Sequence, residues 1–463
     1  MDVNQRIVNP QIIHHGAHQG VTGSCHEFYL TETASMLIDC GQFQGRDVEY
    51  NDVNQRVQDI DFYIDNLIGL VVTHCHIDHV GRLPSLLSAG FHGPIYCTPA
   101  TGLLLPLVMA DAMKITGFPY PEKVLTRVQS QLRTLPLEQW HELEHGWRMR
   151  LRNAGHIMGS AYVEFEQEQK EDNEGLPQRV VFSGDLGCKN TPLLQDPTPL
   201  EYADTLVLES TYGDRLHEDR ETRQQRLKNM IEKAFVDKGT VLIPAFSIGR
   251  TQELLYEIED IMHQDPDWRK MTVILDSPLA TQYTRQYRRL KVLWDEEAKL
   301  RLADDRHPLN FERLHVVESH QQHEQIIELL RSSGEPAIVI AASGMCTGGR
   351  IVNYLKALLD DERTDIVFVG YQAANTPGRD IQEHGPGGGY VVLDQQRYQI
   401  RARVHTLGGY SAHADQRELL EFLQTTVKPV HNVRLVHGEE NAKKVLATKI
   451  SDGGYVTGDV SFV

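Results

Sequence analysis

The chain lacks any pair of cysteines at C-x-x-C spacing. Its six cysteines, at 25, 40, 75, 97, 188 and 346, are scattered through 463 residues. That excludes a disulfide scaffold and a cysteine-type zinc site, and it points to a reducing compartment. Long apolar runs are also missing: none approaches the roughly 20 residues of a membrane span, and the first residues hold no basic stretch leading into an apolar one. The expected location is cytoplasmic, without a membrane partner. Basic residues are in the minority, 46 against 64 acidic ones, giving a formal charge of −18 that opposes indiscriminate binding to nucleic acid. A polyanionic partner must therefore be drawn in locally, and bound dications would be the largest charges available to do so. The length exceeds what one core usually fills, so two domains are expected.

What the chain does have is Thr73-His74-Cys75-His76-Ile77-Asp78-His79, which follows the apolar run Leu70-Val71-Val72 and puts four metal-ligand side chains into six consecutive residues. In an extended chain side chains alternate faces, so His74, His76 and Asp78 would share one face while Cys75 and Ile77 point into the packing. His79 would follow at the turn and reach a second metal from the other side.

A pattern recurs around this segment. Short apolar runs end in polar or glycine-rich turns: Ser35–Ile38 before Asp39, Gly69–Val72 before His74, Val180–Phe182 before Asp185, Leu206–Leu208 before Glu209, and Val433–Val436 before His437. Ligands of layered α/β proteins sit beyond strand ends, so the five tips are expected to meet in one cleft. Between about 210 and 390, β-like runs (Val241–Ile243, Val273–Leu275, Ile338–Ile340, Ile366–Val369) alternate with helical-period segments (Thr222–Phe235, Thr251–Met262, Gln321–Arg331, Arg350–Leu359). The alternation implies a mostly parallel sheet covered by helices, inserted into the first domain. The expected division is 1–209, 210–390 and 391–463, the first and last parts forming one domain. Glu166–Gln178 and Gly385–Gly389 read as surface loops.

A dinuclear hydrolase needs neutral imidazoles, ionised carboxylates and one shared anion. His74, His76 and His156 can bind the first metal, and Asp78, His79 and His437 the second. Asp185 is the natural bridge, and Asp39 more naturally orients a ligand histidine from behind. The other sixteen of the 22 histidines, apart from those given roles here, read as ordinary surface or core residues.

These residues resemble the metallo-β-lactamase superfamily and, within it, the β-CASP branch of nucleic-acid-processing nucleases. The match runs over nearly the whole chain. It includes Asp39, the HxHxDH set from His74 to His79, His156 and Asp185, then Glu209 in Leu208-Glu209-Ser210-Thr211-Tyr212-Gly213, His413 in Ser411-Ala412-His413-Ala414-Asp415, and His437 in Leu435-Val436-His437-Gly438. Pro244-Ala245-Phe246-Ser247-Ile248-Gly249-Arg250 and Ser343-Gly344-Met345 look like parts of the same branch's inserted domain. The resemblance implies an α/β fold, an αββα sandwich with an inserted α/β domain, two Zn2+ per chain, and single-stranded RNA as partner.

It further implies attack of a metal-bridging hydroxide on a phosphodiester, leaving a 5′-phosphate and a 3′-hydroxyl. His413, held protonated by Glu209, would donate the proton to the leaving oxygen. Arg250 and Arg379 are candidates to grip phosphates, with Ser247, Ser343, Gly344 and the amides up to Gly349 adding to the grip. Tyr212, Phe246 and Tyr371 can stack bases or simply pack. Three other readings stay open: a zinc hydrolase of a small ester or thioester, a DNA-processing nuclease, and a non-catalytic RNA-binding scaffold. Only 26 residues follow His437, which favours endonuclease over exonuclease action, and a homodimer is compatible with the sequence.

Overall fold

The computed structural model describes residues 11–45, 47–48, 58–116, 121–167, 176–218, 222–265, 268 and 270–462. The chain divides into two compact units. One holds the described residues up to Asn190, Gln195–Leu216 and those from His413 onward; the other holds Thr191–Leu194 and His217–Ala412.

The first unit is built on two sheets. One has strand order Ile12–Gly16, Cys25–Thr31, Ala34–Ile38, Leu67–Val71, Ile95–Cys97, Leu132–Thr134, antiparallel at first and parallel from Ala34–Ile38 onward. The other runs Val460–Phe462, Asn432–Val436, Thr205–Glu209, Arg179–Phe182, Ala161–Gln167, Trp147–Asn153, Trp140–Glu142. Its first four strands are parallel and the rest antiparallel.

Alternation along these strands produces the core. Phe28, Leu30, Met36, Ile38 and Val71 of one sheet pack with Trp147, Met149, Leu151, Val163, Phe165, Phe182 and Val207 of the other. The opposite faces of the second sheet's strands, through Val181, Leu206, Leu208, Val433 and Leu435, meet Leu419, Phe422 and Leu423 of helix Gln416–Gln424 and Leu446 and Ile450 of helix Glu440–Asp452. On the first sheet, helix Pro99–Thr116 lies so close that a Cβ at Gly102 would sit 2.8 Å from Thr134. The unit is thus a helix-sheet-sheet-helix sandwich, as expected. Local signals agree with it: Asp415 and Glu418 form a reciprocal capping box, each side chain accepting the other's backbone N–H at 3.0 Å.

The second unit is a six-stranded, all-parallel sheet ordered Leu314–Val316, Thr272–Asp276, Ala337–Ala341, Thr240–Pro244, Asp365–Phe368, Arg403–Thr406. Every residue of the strands Thr240–Pro244 and Ala337–Ala341 is buried, the run expected of a strand covered on both faces. The four strands and four helices read from the sequence all form, within a residue or two. Helix Pro278–Arg289 was not read from the sequence, although its buried residues Ala280, Thr281, Tyr283, Thr284 and Tyr287 follow a helical spacing, because threonine and tyrosine rather than aliphatic residues mark its buried face. Its start was nonetheless signalled, since Ser277 caps Ala280 N at 3.2 Å and proline follows at the first helical position.

The unit boundaries differ from the expected 210–390. Residues 210–216 stay with the first unit, and 391–412 belong to the second, because strand Arg403–Thr406 pairs with Asp365–Phe368 and Val391, Leu393, Ile400 and Ala402 join its core. Of the expected loop Glu166–Gln178, residues 168–175 lie outside the described residues. Glu166 itself lies within strand Ala161–Gln167, buried and bonded to Arg148 and Arg179. The other expected loop begins with the short 3-10 turn Gly385–Gly387.

Trp147 is 1% exposed, donates to Leu30 O at 3.2 Å and meets Phe28 edge-on. Trp147→Ala is expected to cost about 3–5 kcal/mol, read as a lower denaturation midpoint for the first unit.

Candidate metal centre and catalytic site

The parallel arrangement brings the carboxyl ends of Ala34–Ile38 and Leu67–Val71 to one edge of the first sheet, and those of Arg179–Phe182, Thr205–Glu209 and Asn432–Val436 to one edge of the second. Trp147–Asn153 runs antiparallel to a strand that is itself antiparallel to Arg179–Phe182, so the turn carrying His156 emerges at that same edge. Asp39, His74, Asp185, Glu209 and His437 follow or end the other five strands.

The regular strand stops at Val71, and Ile77–Val80 is a helical turn. Simple alternation therefore does not carry through to Asp78. His74 and His76 face one donor set, and the helical turn swings Asp78 and His79 into another. Ile77, expected in the packing with buried Cys75, is only half-buried. Two backbone features make the turn possible. Gly41 passes so close that a Cβ there would lie 1.5 Å from Asp78 O, and Gly184, at φ +52°, leaves no room for a Cβ beside Thr73. Asp39 and His437 adopt left-handed φ values of 61° and 52°, at a cost of about 1–3 kcal/mol each.

Two donor sets result. In the first, His76 Nδ1 lies 3.1 Å from both His74 Nε2 and His156 Nε2, and Asp185 Oδ2 lies 3.4 and 3.5 Å from those two nitrogens. In the second, His437 Nε2 is 3.2 Å from His79 Nε2 and 3.4 Å from Asp78 Oδ2, while Asp185 Oδ1 is 3.2 and 3.6 Å from the two imidazoles. Donors about 2.0–2.1 Å from one tetrahedral ion stand about 3.3–3.4 Å apart, so both sets fit a metal ion. Asp185 contributes one oxygen to each, and its Oδ1 accepts no hydrogen bond among the described residues.

The residues behind these donors are equally ordered. Asp39 Oδ2 accepts from His79 Nδ1 at 2.7 Å, and its carboxylate also takes Thr73 N and Oγ1, each at 2.8 Å. His413 is held in place by a bridge to Gly187 and by Ala414 N donating to Leu186 O. Its Nδ1 donates to Glu209 Oε2 at 3.1 Å and lies 3.9 Å from Asp185 Oδ2. Glu209, fully buried, also accepts from Leu186 N and Thr211 Oγ1. The residues that the sequence reading missed are Thr73 and Thr211. Both stand inside the quoted motifs, but nothing in the spacing of a threonine announces such a role.

Electrostatics divide the imidazoles. Burial pushes His74 below the usual range and His76 down to about 4, so both are neutral and ready to donate a lone pair. Burial acts against charge on His79 and His437 too, but the carboxylates of Asp185 with Asp39 or Asp78 outweigh it and raise both. At His413 burial is likewise outweighed, by Glu209 and Asp185, and the value rises to about 9. Asp185 is held ionised against its own burial by the imidazoles around it.

The residues read as substrate contacts lie in the second unit. Arg250 begins helix Arg250–Gln264, but its side chain is 6% exposed and paired with Glu253, so its charge is already met within the unit. Arg379 is 43% exposed beside Glu383. Ser247 Oγ lies 3.2 Å from Ser277 Oγ; Ser343 is half-buried and accepts from Thr347 N; Gly344 is buried, with Phe246 where its Cβ would be. Phe246 is therefore at least partly a packing residue. Tyr371 is half-buried. Tyr212, in the first unit, lies 6.3 Å from the His413 ring.

Comparison with known proteins agrees with this geometry. The metallo-beta-lactamase superfamily model matches residues 22–245, the Beta-Casp domain 251–381, and a Zn-dependent metallo-hydrolase RNA specificity domain 397–460. The chain belongs to the β-CASP branch of the metallo-β-lactamase superfamily. Among β-CASP relatives it is similar to Ribonuclease TTHA0252 of Thermus thermophilus, 38% identical over 94% of each chain. It is also similar to Transcription termination factor FttA of Methanosarcina mazei, 30% identical over 92% of this chain and 68% of that one. A crystal structure of a protein of unknown function from Enterococcus faecalis shares the fold, with a TM-score of 0.55, 12% identity and 98% coverage of both chains. Among the described residues no helix is long and apolar enough to cross a membrane.

In this β-CASP chain a metal at the second donor set must displace the protons of His79 and His437, whose raised values keep them charged above the usual histidine range. The first set is already neutral at His74 and His76. Affinity at the second set is therefore expected to fall first as pH drops, so that metal analysis across an acid titration shows one ion lost before the other.

Proposed function

We propose that the protein is a zinc-dependent ribonuclease, holding two Zn2+ per chain, that hydrolyses phosphodiester bonds within single-stranded RNA and leaves a 5′-phosphate and a 3′-hydroxyl. The observation that carries this reading is Asp185, a buried carboxylate divided between two donor sets, with the Glu209-bound imidazole of His413 beside it. Similarity to a named ribonuclease and the matched RNA specificity domain support RNA over a small ester or thioester.

When bound, zinc lowers the pKa of coordinated water to about 7 and neutralises charge on the phosphoryl oxygens. The chain's own residues do the rest. His74, His76, His156, Asp78, His79 and His437 hold the ions, and Asp185 keeps the two sets in register. Asp39 aims His79. Glu209 engages His413 at Nδ1, which leaves the proton on Nε2 for the departing 3′-oxygen. Arg379, Ser247, Ser343 and Gly344 are assigned to the RNA backbone. Arg250 is assigned there only if RNA displaces Glu253.

The deciding experiment incubates zinc-quantified protein with 5′-labelled single-stranded RNA and matching DNA. Internal RNA fragments are expected; release of mononucleotides alone would make it an exonuclease, and DNA cleavage alone a DNA-processing enzyme. Asp78→Ala and Asp185→Ala are expected to lose metal and cleavage together. His413→Ala is expected to keep both metals and slow the chemical step about 10²–10⁴-fold, and loss of a zinc in that variant would remove His413 from the acid role. For Arg250→Ala, weaker RNA binding with a shallower salt dependence would identify a phosphate contact, and unchanged affinity a structural pair.

A further inference from the structure

Two threonine hydroxyls stand in equivalent places behind the metal centre. Thr211 Oγ1 is 2.7 Å from Glu209 Oε2 and 3.0 Å from His437 Nδ1; Thr73 Oγ1 is 2.8 Å from Asp39 Oδ2 and 3.1 Å from His74 Nδ1. All six residues are buried.

A hydroxyl has one proton to give. At Thr211 the candidates to receive it are a fully buried carboxylate oxygen at 2.7 Å, the ring nitrogen at 3.0 Å and the His437 carbonyl at 3.1 Å. The carboxylate is the strongest acceptor and the nearest, and a charge-assisted bond outweighs a neutral one. The hydroxyl oxygen is then an acceptor toward the ring, which requires the proton of His437 on Nδ1. Nε2 is left bare, facing Asp78, His79 and Asp185. The opposite tautomer would place an N–H among donors that must converge on a cation. The same reasoning at Thr73 puts the His74 proton on Nδ1 and clears its Nε2 for the other set.

We infer that Thr211 and Thr73 are positioning residues that set the tautomers of His437 and His74, each governing one of the two metal ions. The assignment rests on the dinuclear reading above and deepens it. It explains why each buried carboxylate behind the site has two duties. Asp39 holds His79 directly and His74 through Thr73; Glu209 holds His413 directly and His437 through Thr211. Through Thr211, the group that binds the acid also steadies a metal ligand.

The test is metal retention, which does not depend on turnover. Wild-type, Thr211→Val, Thr211→Ser and Thr73→Val proteins are loaded with zinc and challenged with a chromogenic chelator, following the amplitude and rate of each released equivalent. Wild type is expected to hold two ions. Each valine variant is expected to release one ion about 10–100-fold more readily, the usual effect of removing a ligand's outer partner, while the other ion keeps its wild-type release. Thr211→Ser, which retains the hydroxyl, is expected to match wild type and thereby separate the hydrogen bond from a packing effect. Two ions held by Thr211→Val with unchanged release overturn the inference while leaving the dinuclear reading intact. So does equal loss in Thr211→Val and Thr211→Ser. Fewer than two ions in the wild-type protein overturn the dinuclear reading and this inference with it.

Discussion

Negative charge buried at one edge of a sandwich is the constraint on which the molecule is organised. Asp39, Asp185 and Glu209 are each at most 2% exposed, and Asp78 is close by. An isolated buried carboxylate costs several kcal/mol even after relaxation, and four together repel one another. Backbone N–H groups at Thr73 and Leu186 and the two threonine hydroxyls offset part of this. Imidazoles offset more, and three of them, His79, His437 and His413, are pushed toward the charged form in doing so. A proton between carboxylates is a weak substitute for a dication. The fold has thus been shaped around positive charge that the chain itself supplies only in part, which is why metal binding and stability of this edge should be one property.

The sandwich supplies the stiffness such an arrangement needs. The donor groups are set on turns at strand ends, where the backbone is anchored on one side by a ladder of hydrogen bonds and on the other by close contacts such as Gly41 against Asp78. A donor set with edges of 3.1–3.6 Å tolerates little drift. Sites on strand ends and helical turns hold such tolerances better than sites on long loops. The left-handed backbone at Asp39 and His437 fits the same picture, since local strain is retained where it aims a side chain at the centre.

Much of this could be read from the amino-acid sequence, and the reason is physical. Buried parallel strands leave short apolar runs, and the turns after them carry chemistry, so Leu70-Val71-Val72 before His74 and Val433–Val436 before His437 are legible without a structure. So is the alternation that builds the inserted sheet. What could not be read depends on partners far away in sequence. Arg403-Val404-His405-Thr406 is too polar to announce a strand; it becomes one because Asp365–Phe368 offers an edge, with Asp365 bonded to both Arg403 and His405. Glu166 looks like a loop residue until Arg148 and Arg179 arrive from neighbouring strands. Arg250 looks like an exposed cation until Glu253 meets it. In each case a charged side chain was buried by pairing, which composition and period cannot foresee.

The chain also gives its clustered imidazoles different electrostatic surroundings. His74 and His76 lose their protons to burial, which outweighs the carboxylates of Asp185 and, at His76, Asp78. In the proposed mechanism the imidazole that carries a proton is His413, which sits against Glu209 with an exposed fraction of 18% and is raised to about 9 by that carboxylate and Asp185. Environment, not residue type, therefore sets the proton affinity of histidines that are chemically identical: His74 and His76 are lowered, whereas His79, His437 and His413 are raised by the carboxylates beside them. The same carboxylate cannot be weakened for one role without disturbing the other, because Glu209 reaches His413 on one side and, through Thr211, His437 on the other. In the proposed mechanism, proton donation and metal geometry are consequently tied to a single buried carboxylate, and variation at that position would be felt by both.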